Sequence, residues 1–277
     1  MARVTVAAVV RSAHPGPSVA VTALAAILAW GFAVSASSAT LVVLAVLFNQ
    51  LSVGLSNDAI DAVRDREAGR RDKPVVSGEV TPATLWRLAI LLAAASLVLS
   101  AFVHPGVLIA QGVFLLAGWL YNAGLKATVF SVVAYAVGFG SLPVIVSFAA
   151  LPAAFASWWI IVIAAGLGVA AHFGNVLPDR VEDQLQGVRG LPQRLPARTS
   201  AFILTAMIMA MSTVLVAGAG ASNIALTLPF ASVASAVAIA GGLVALRDTP
   251  TRWPFRAVIL AAVILAGGLS AVLVTSG

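Results

Sequence analysis

The 277-residue sequence predicts an all-α, polytopic membrane protein of nine transmembrane helices, one membrane-embedded domain over residues 1–277 with its N-terminus in the cytoplasm. Three observations lead there. First, 61% of the residues are apolar and only 9% are charged, far from the composition of a soluble domain. Second, Asp, Glu, Lys and Arg are missing from residues 12–57, 88–125, 127–178, 199–246 and 257–277. A helix needs about 20 apolar residues to cross the hydrocarbon core. The first four stretches therefore each hold a helical hairpin, and the last holds one span. Third, turn residues fall at the middle of each hairpin.

In order, the predicted spans are 19–36, 40–57, 83–102, 106–122, 128–150, 157–176, 200–219, 223–246 and 255–275. The hairpins turn at Ser35 to Thr40, His104-Pro105-Gly106, Leu151-Pro152 and Gly220 to Asn223. Trp86, Trp119, Tyr121 and Trp253 fall near inner ends, and Trp158 and Trp159 near an outer end, as an aromatic belt requires. Residues 1–39 imitate a signal peptide, but the eight spans that follow make a retained first span the simpler reading.

Every hairpin returns to its starting side, so all the charges share one face. The positive-inside rule makes that face cytoplasmic, with Arg3 and Arg11 inside and Gly277 outside. A net charge of +6 is then a basic rim on anionic lipid and gives no reason to expect a nucleic-acid partner. The absence of cysteine excludes disulfides, Cys-ligated zinc and thiol catalysis. Fourteen Arg against two Lys, with abundant Ala, fits a bacterial plasma membrane. The outer loops are very short, so the spans and the inner loops 58–82, 177–199 and 247–254 carry the function.

An internal repeat singles out two of those loops. Asn57, Asp61, Val63, Asp65, Gly69, Arg71 and Pro74 recur 118 residues later as Asn175, Asp179, Val181, Asp183, Gly187, Arg189 and Pro192. Four spans separate the copies, so both open to the same side. On a helix Asp58, Asp61 and Asp65 share a face, with Asn57 one turn from Asp61; Asn175, Asp179 and Asp183 form a second stripe. Pro178 bends or ends the helix within that stripe. Two carboxylate stripes meeting across one cavity repel strongly and need a cation between them. Hard oxygen ligands without His or Cys point to Mg2+, which fills its remaining positions with water and substrate phosphate oxygens.

Cations suited to phosphate flank the acids: Arg64, Arg71 and Lys73, then Arg180, Arg189 and Arg194, with Lys126 after the fourth span and Asn122 one turn before it. The expected substrate is a diphosphate on a long hydrocarbon tail. Arg66, Glu67, Arg70, Asp72, Arg87, Arg198, Arg247, Asp248, Arg252 and Arg256 read as solvated or lipid-facing charges. His14 and His104 read as solvated and His172 as a packing histidine; Tyr121 fits an interfacial anchor and a phosphate contact equally.

The segment Asn57-Asp58-x-x-Asp61-x-x-x-Asp65, followed by Arg71-Asp72-Lys73-Pro74-Val75-Val76-Ser77-Gly78, resembles the UbiA superfamily of intramembrane prenyltransferases. Asp179-x-x-x-Asp183 with Gly187 to Leu195 is similar to that family's second aspartate motif and loop, and the resemblance runs over nearly the whole chain. It implies nine helices around a central cavity. It also implies that Asp58, Asp61, Asp65, Asp179 and Asp183, assisted by Asn57 and Asn175, hold Mg2+ and the diphosphate, with Asp61, Asp65, Asp179 and Asp183 catalytic. Arg71, Lys73, Lys126 and Arg189 then contact phosphate oxygens. Asn175 stands where many members have Asp, and the family's Tyr-x-x-x-Lys is one residue longer here, Tyr121 to Lys126.

The implied reaction is Mg-dependent transfer of a prenyl group from a prenyl diphosphate to a small-molecule or lipid acceptor, most often an aromatic quinone precursor. Three other readings stay open. A terpene cyclase of the same type would quench the cation within the chain, steered by aromatic faces such as Phe48, Phe114, Tyr135, Phe139 and Phe173. Phosphoribosyl transfer to a lipid phosphate is a second. A cation-coupled transporter is the third, opposed by charges confined to one face.

Overall fold

A computed structural model describes residues 5–246 and 251–276; Arg3, Arg247, Asp248 and Gly277 lie outside the described residues. Its helices are α1 (Val6–Ser12), α2 (Pro15–Gly31), α3 (Ala36–Glu67), α4 (Pro74–Ser77), α5 (Pro82–Ala101), α6 (Pro105–Ala123) and α7 (Ser131–Ser147). They continue with α8 (Trp158–Val176), α9 (Arg180–Leu185), α10 (Leu191–Arg194), α11 (Ala197–Gly218), α12 (Ile224–Ala245) and α13 (Trp253–Ser276). Among the described residues there is no strand.

Local chemistry starts several of these helices where the turn residues predict. Ser35 Oγ accepts from Ser38 N (3.3 Å) at the head of α3, and Thr81 Oγ1 from Thr84 N (3.1 Å) at the head of α5. Pro15, Pro82 and Pro105 stand at first helical positions, where a missing N–H costs nothing. Gly220, at φ 84°, supplies the positive φ that the turn between α11 and α12 requires.

Seven helices are long and apolar enough to cross a membrane, and α1 with α2, bent by 70°, makes an eighth if counted as one span. The shorter apolar helix is α7, of 17 residues. The first and fifth of the nine expected crossings thus rest on 17-residue helices, about a turn short of the usual length.

The long helices form a ring. α2 packs on α3, α3 on α5 and α6, α6 on α7, and α7 on α8; α8 packs on α11 and α13, and α13 on α2 closes the circuit. Large apolar side chains such as Trp30, Ile109, Leu116 and Phe202 remain exposed on the outside, as a lipid-facing surface requires. Buried polar groups hold the α3 end of the ring in register. Gln111 donates to Ala45 O (3.0 Å) and Ser96 Oγ (2.8 Å), and Ser96 Oγ donates to Ala45 O (2.8 Å). Ser52 Oγ donates to Ala89 O (2.8 Å) and accepts from Trp119 Nε1 (3.2 Å). Interhelical bonds of this kind substitute for hydrophobic burial where the solvent is lipid.

One difference from the sequence reading and one agreement with it concern the motifs. The second span was expected to stop at residue 57, but α3 runs unbroken to Glu67, so the whole first motif is helical. The second motif is broken as Pro178 foretold: α8 ends at Val176, a 3-10 turn covers Leu177–Asp179, and α9 begins at Arg180.

Candidate active site

The ring encloses a cavity of about 970 Å3, lined from α2, α3, α6, α7, α8 and α13. Its polar end gathers Asn57, Asp58, Asp61 and Asp65 from α3 with Asn175, Asp179 and Asp183 from the second motif. Both acidic stripes of the repeat thus border one space.

The first stripe is buried and fully ion-paired. Asp58, Asp61 and Asp65 are 1%, 5% and 2% exposed. Lys126 Nζ lies 2.6 and 2.7 Å from the two carboxylate oxygens of Asp61 and 3.2 Å from Asn57 Oδ1. Arg64 Nη2 reaches Asp61 Oδ2 at 2.8 Å. Lys73 Nζ bridges Asp58 Oδ1 (3.1 Å) and Asp65 Oδ2 (2.7 Å). Burial draws the Lys73 ammonium down, but Asp58 and Asp65 more than compensate and leave it above the ordinary lysine value. At Lys126 burial wins over Asp61, and its pKa lies below the ordinary value.

The second stripe is paired more loosely. Gln193 Nε2 donates to Asp183 Oδ2 at 2.9 Å, and Arg252 Nη2 is 3.5 Å from Asp179. Gln184 Nε2 donates in turn to the Gln193 carbonyl, and the Gln193 side chain is buried. The two loops are clasped by Arg70, which bonds Glu182 Oε1 (3.0 Å) and Asp72 Oδ1 (3.3 Å). Asp72 is the main cause of a raised Arg70 pKa, against the opposing effect of burial.

Not every candidate reaches the cavity. Arg71 and Arg189 are exposed and do not line it. Gly69, at φ 68°, turns the chain so that Arg70 rather than Arg71 points inward. Arg189 offers its carbonyl to Arg194 Nε (2.7 Å). Asn122 lines the cavity, but its amide donates to Val53 O (2.8 Å) and Ser56 Oγ (2.9 Å), binding α6 to α3.

Some of the charges read as solvated belong to the site. Arg70, Asp72, Arg252 and Arg256 line the cavity, because the loops fold back over its mouth instead of extending into water. His14 also lines it, with Nε2 3.0 Å from Asp58 Oδ1. No motif flags His14; only its place just before the first span could have singled it out. His172 is fully buried, 2.9 Å from Ser131 Oγ and stacked on Tyr135, a packing histidine as expected.

Below the charges the wall turns apolar. Phe114, Tyr135 and Phe139 line it, whereas Phe48 and Phe173 do not; Tyr121 and Phe255 join it. Tyr121 meets Tyr135 edge-on at 5.1 Å between ring centroids. Such faces stabilise positive charge.

Among the described residues no three Asp, Glu or His side chains converge on a point where they alone could hold a metal ion. That does not disqualify Mg2+, which typically takes one or two carboxylates, several waters and phosphate oxygens. The donors are all oxygen, from Asp58, Asp61, Asp65, Asp179, Asp183, Asn57 and Asn175, and they surround a space with room for a phosphate group. The residues fit the ion in type, provided the lysines yield their carboxylates.

Comparison with curated proteins found no match. The model of the UbiA prenyltransferase family matches residues 18–266. Among solved structures, an apo UbiA homolog from Aeropyrum pernix K1 superposes with a TM-score of 0.74 at 18% identity, over 91% of this chain and 96% of that one. A UbiA homolog from Archaeoglobus fulgidus bound to GPP and Mg2+ gives 0.69 at 19% identity, over 96% and 99%. A structure of digeranylgeranylglyceryl phosphate synthase gives 0.65 at 16% identity, over 97% and 95%.

Proposed function

This chain belongs to the UbiA prenyltransferase family, and from that premise we propose that it transfers a prenyl group, Mg2+-dependently, from a prenyl diphosphate to an acceptor within a bacterial plasma membrane. The observation that carries the reading is the cavity itself: two acidic stripes and their basic partners at one end, aromatic and aliphatic walls at the other. A diphosphate and a hydrocarbon tail need those two environments side by side. The Archaeoglobus homolog bound to GPP and Mg2+ supports it.

In this mechanism the allylic C–O bond breaks and its electron pair leaves with the diphosphate. Asp58, Asp61 and Asp65 on one side and Asp179 and Asp183 on the other would hold Mg2+, assisted by Asn57 and Asn175. Bound there, Mg2+ would supply the positive charge that lowers the cost of negative charge on the leaving group. Lys73, Lys126, Arg64 and Arg70 would donate hydrogen bonds to its oxygens. Tyr121, Tyr135, Phe114 and Phe139 would shield the allylic cation from water and face it with π density. An acceptor carbon attacks the cation and loses a proton.

The test is product analysis by mass spectrometry after offering purified protein a series of prenyl diphosphates, with and without membrane extract. Prenylated product is expected only with extract and Mg2+, and Asp61→Asn and Asp179→Asn should each lower turnover about 100- to 1,000-fold. Hydrocarbon or terpene alcohol formed without extract would instead identify a cyclase, which the aromatic wall also suits. Unchanged turnover in both variants would overturn the assignment.

A further inference from the structure

We propose that the first carboxylate cluster accepts a divalent ion only together with the diphosphate, because Lys73 and Lys126 occupy the ion's place on the free site. The inference rests on the functional reading above and concerns the form of its substrate: a metal–diphosphate complex, not a bare metal followed by a bare diphosphate.

Three carboxylates, Asp58, Asp61 and Asp65, face three cations, Lys73, Lys126 and Arg64, at 2.6–3.1 Å. The cluster is already neutral and its acids are buried. A bare dication would have to displace two ammonium groups and leave them nearby without partners, with two surplus positive charges in a region of low dielectric. Such uncompensated charge is costly. A fully ionised prenyl diphosphate carries three negative charges. Arriving with one or two divalent ions, it adds a single net charge and gives the released ammonium groups new acceptors.

The lysines are placed to make that exchange. Lys73 is the residue that precedes α4, and Lys126 sits in the one-turn 3-10 helix Leu125–Ala127 after α6. Each is a flexible four-carbon arm ending in a point charge with three donors, and each lines the cavity.

The internal repeat isolates the feature. At the repeat offset Lys73 falls on Leu191 and Lys126 on Val244, so neither has a counterpart in the second half. There Asp183, the equivalent of Asp65, is held by the neutral amide of Gln193 instead. Asp61 and Asp65 recur as Asp179 and Asp183, but Asp58 falls on Val176 and neither ammonium partner recurs.

Mn2+ binding followed by electron paramagnetic resonance tests this, with and without inorganic pyrophosphate, on the purified protein, Asp61→Asn, Lys73→Gln and Lys126→Gln. Asp61→Asn marks which bound Mn2+ belongs to the first cluster. In the unsubstituted protein pyrophosphate should tighten binding there by about tenfold or more, within the roughly 5- to 150-fold range of coupled sites. Removing either lysine should tighten binding of Mn2+ alone by about tenfold and shrink the pyrophosphate effect. Either variant suffices, whichever is monodisperse, and the comparison in the unsubstituted protein needs neither. Mn2+ filling the first cluster equally well without pyrophosphate, or unaltered by loss of either lysine, would overturn the inference. No Mn2+ retained under any condition would overturn the functional reading as well.

Discussion

His14 reaches Asp58 from φ 51°, a backbone conformation that non-glycine residues seldom adopt. Strain of this kind persists where surrounding structure enforces it and clusters at functional sites. Asp58 Oδ1 is shared between His14 and Lys73, so His14 keeps that carboxylate oriented if the lysine turns to a phosphate. Replacing it by Ala or Gly should raise the Mg2+ concentration needed for half-maximal prenyl transfer about 10- to 100-fold, the usual cost of losing a partner behind a ligand. Gly relieves the backbone, so His14→Gly matching the unsubstituted protein would show that the side chain is dispensable. Asn122 behaves oppositely. Its amide ties α6 to the Val53 carbonyl and Ser56, so Asn122→Ala should cost about 1–3 kcal/mol of stability and leave the KM for prenyl diphosphate unchanged. One-turn spacing from Lys126 marked it for phosphate. Which way an amide points is a matter of neighbours, and sequence spacing does not encode them.

Close approach between helices decides which residues share the cavity mouth. A Cβ on Gly54 of α3 would sit 2.7 Å from the Ala13 carbonyl carbon. The joint between α1 and α2 lies there, one residue before His14, and backbone cannot move aside as a side chain can. Gly54→Ala should therefore cost about 1–3 kcal/mol, seen as a lower Tm in detergent, and should lift His14 from Asp58. Gly190 plays the same part in the second loop, where an added Cβ would lie 2.5 Å from the Lys126 carbonyl oxygen and 2.9 Å from Ser131 Oγ. Gly190→Ala should push the loop away from Lys126 and disturb both halves of the site, so that activity falls while the helices persist by circular dichroism. The helices themselves were legible because charge-free runs and turn residues are local signals. Where α3 ends was not: apolarity stops near residue 57, yet helical hydrogen bonding continues to Glu67, since cavity contacts and ion pairs stabilise the polar turns that lipid cannot.

At the scale of the whole molecule, charge confined to one face predicts a fixed orientation. The chain has no cysteine, so single substitutions report topology cleanly. Ser37→Cys should react with a membrane-impermeant maleimide in intact cells, and Ser77→Cys only after permeabilisation; the reverse pattern would invert the assignment. Hydropathy, the hairpin count and the in-register repeat of acids each follow from the sequence, because burial in lipid and helical periodicity depend on residue type and spacing alone. The same is true of the first acidic stripe, which the periodicity of α3 puts on one face, whereas the second crosses the break at Leu177–Asp179. The pairing of cations with acids was decided only in three dimensions. Arg70 turns in while Arg71 turns out, Arg252, the residue before α13, reaches Asp179, and His14 arrives from the joint of a bent N-terminal helix pair. Attraction between charges depends on distance through space, and ring closure by α13 against α2 and α8 sets distances that no spacing along the chain contains.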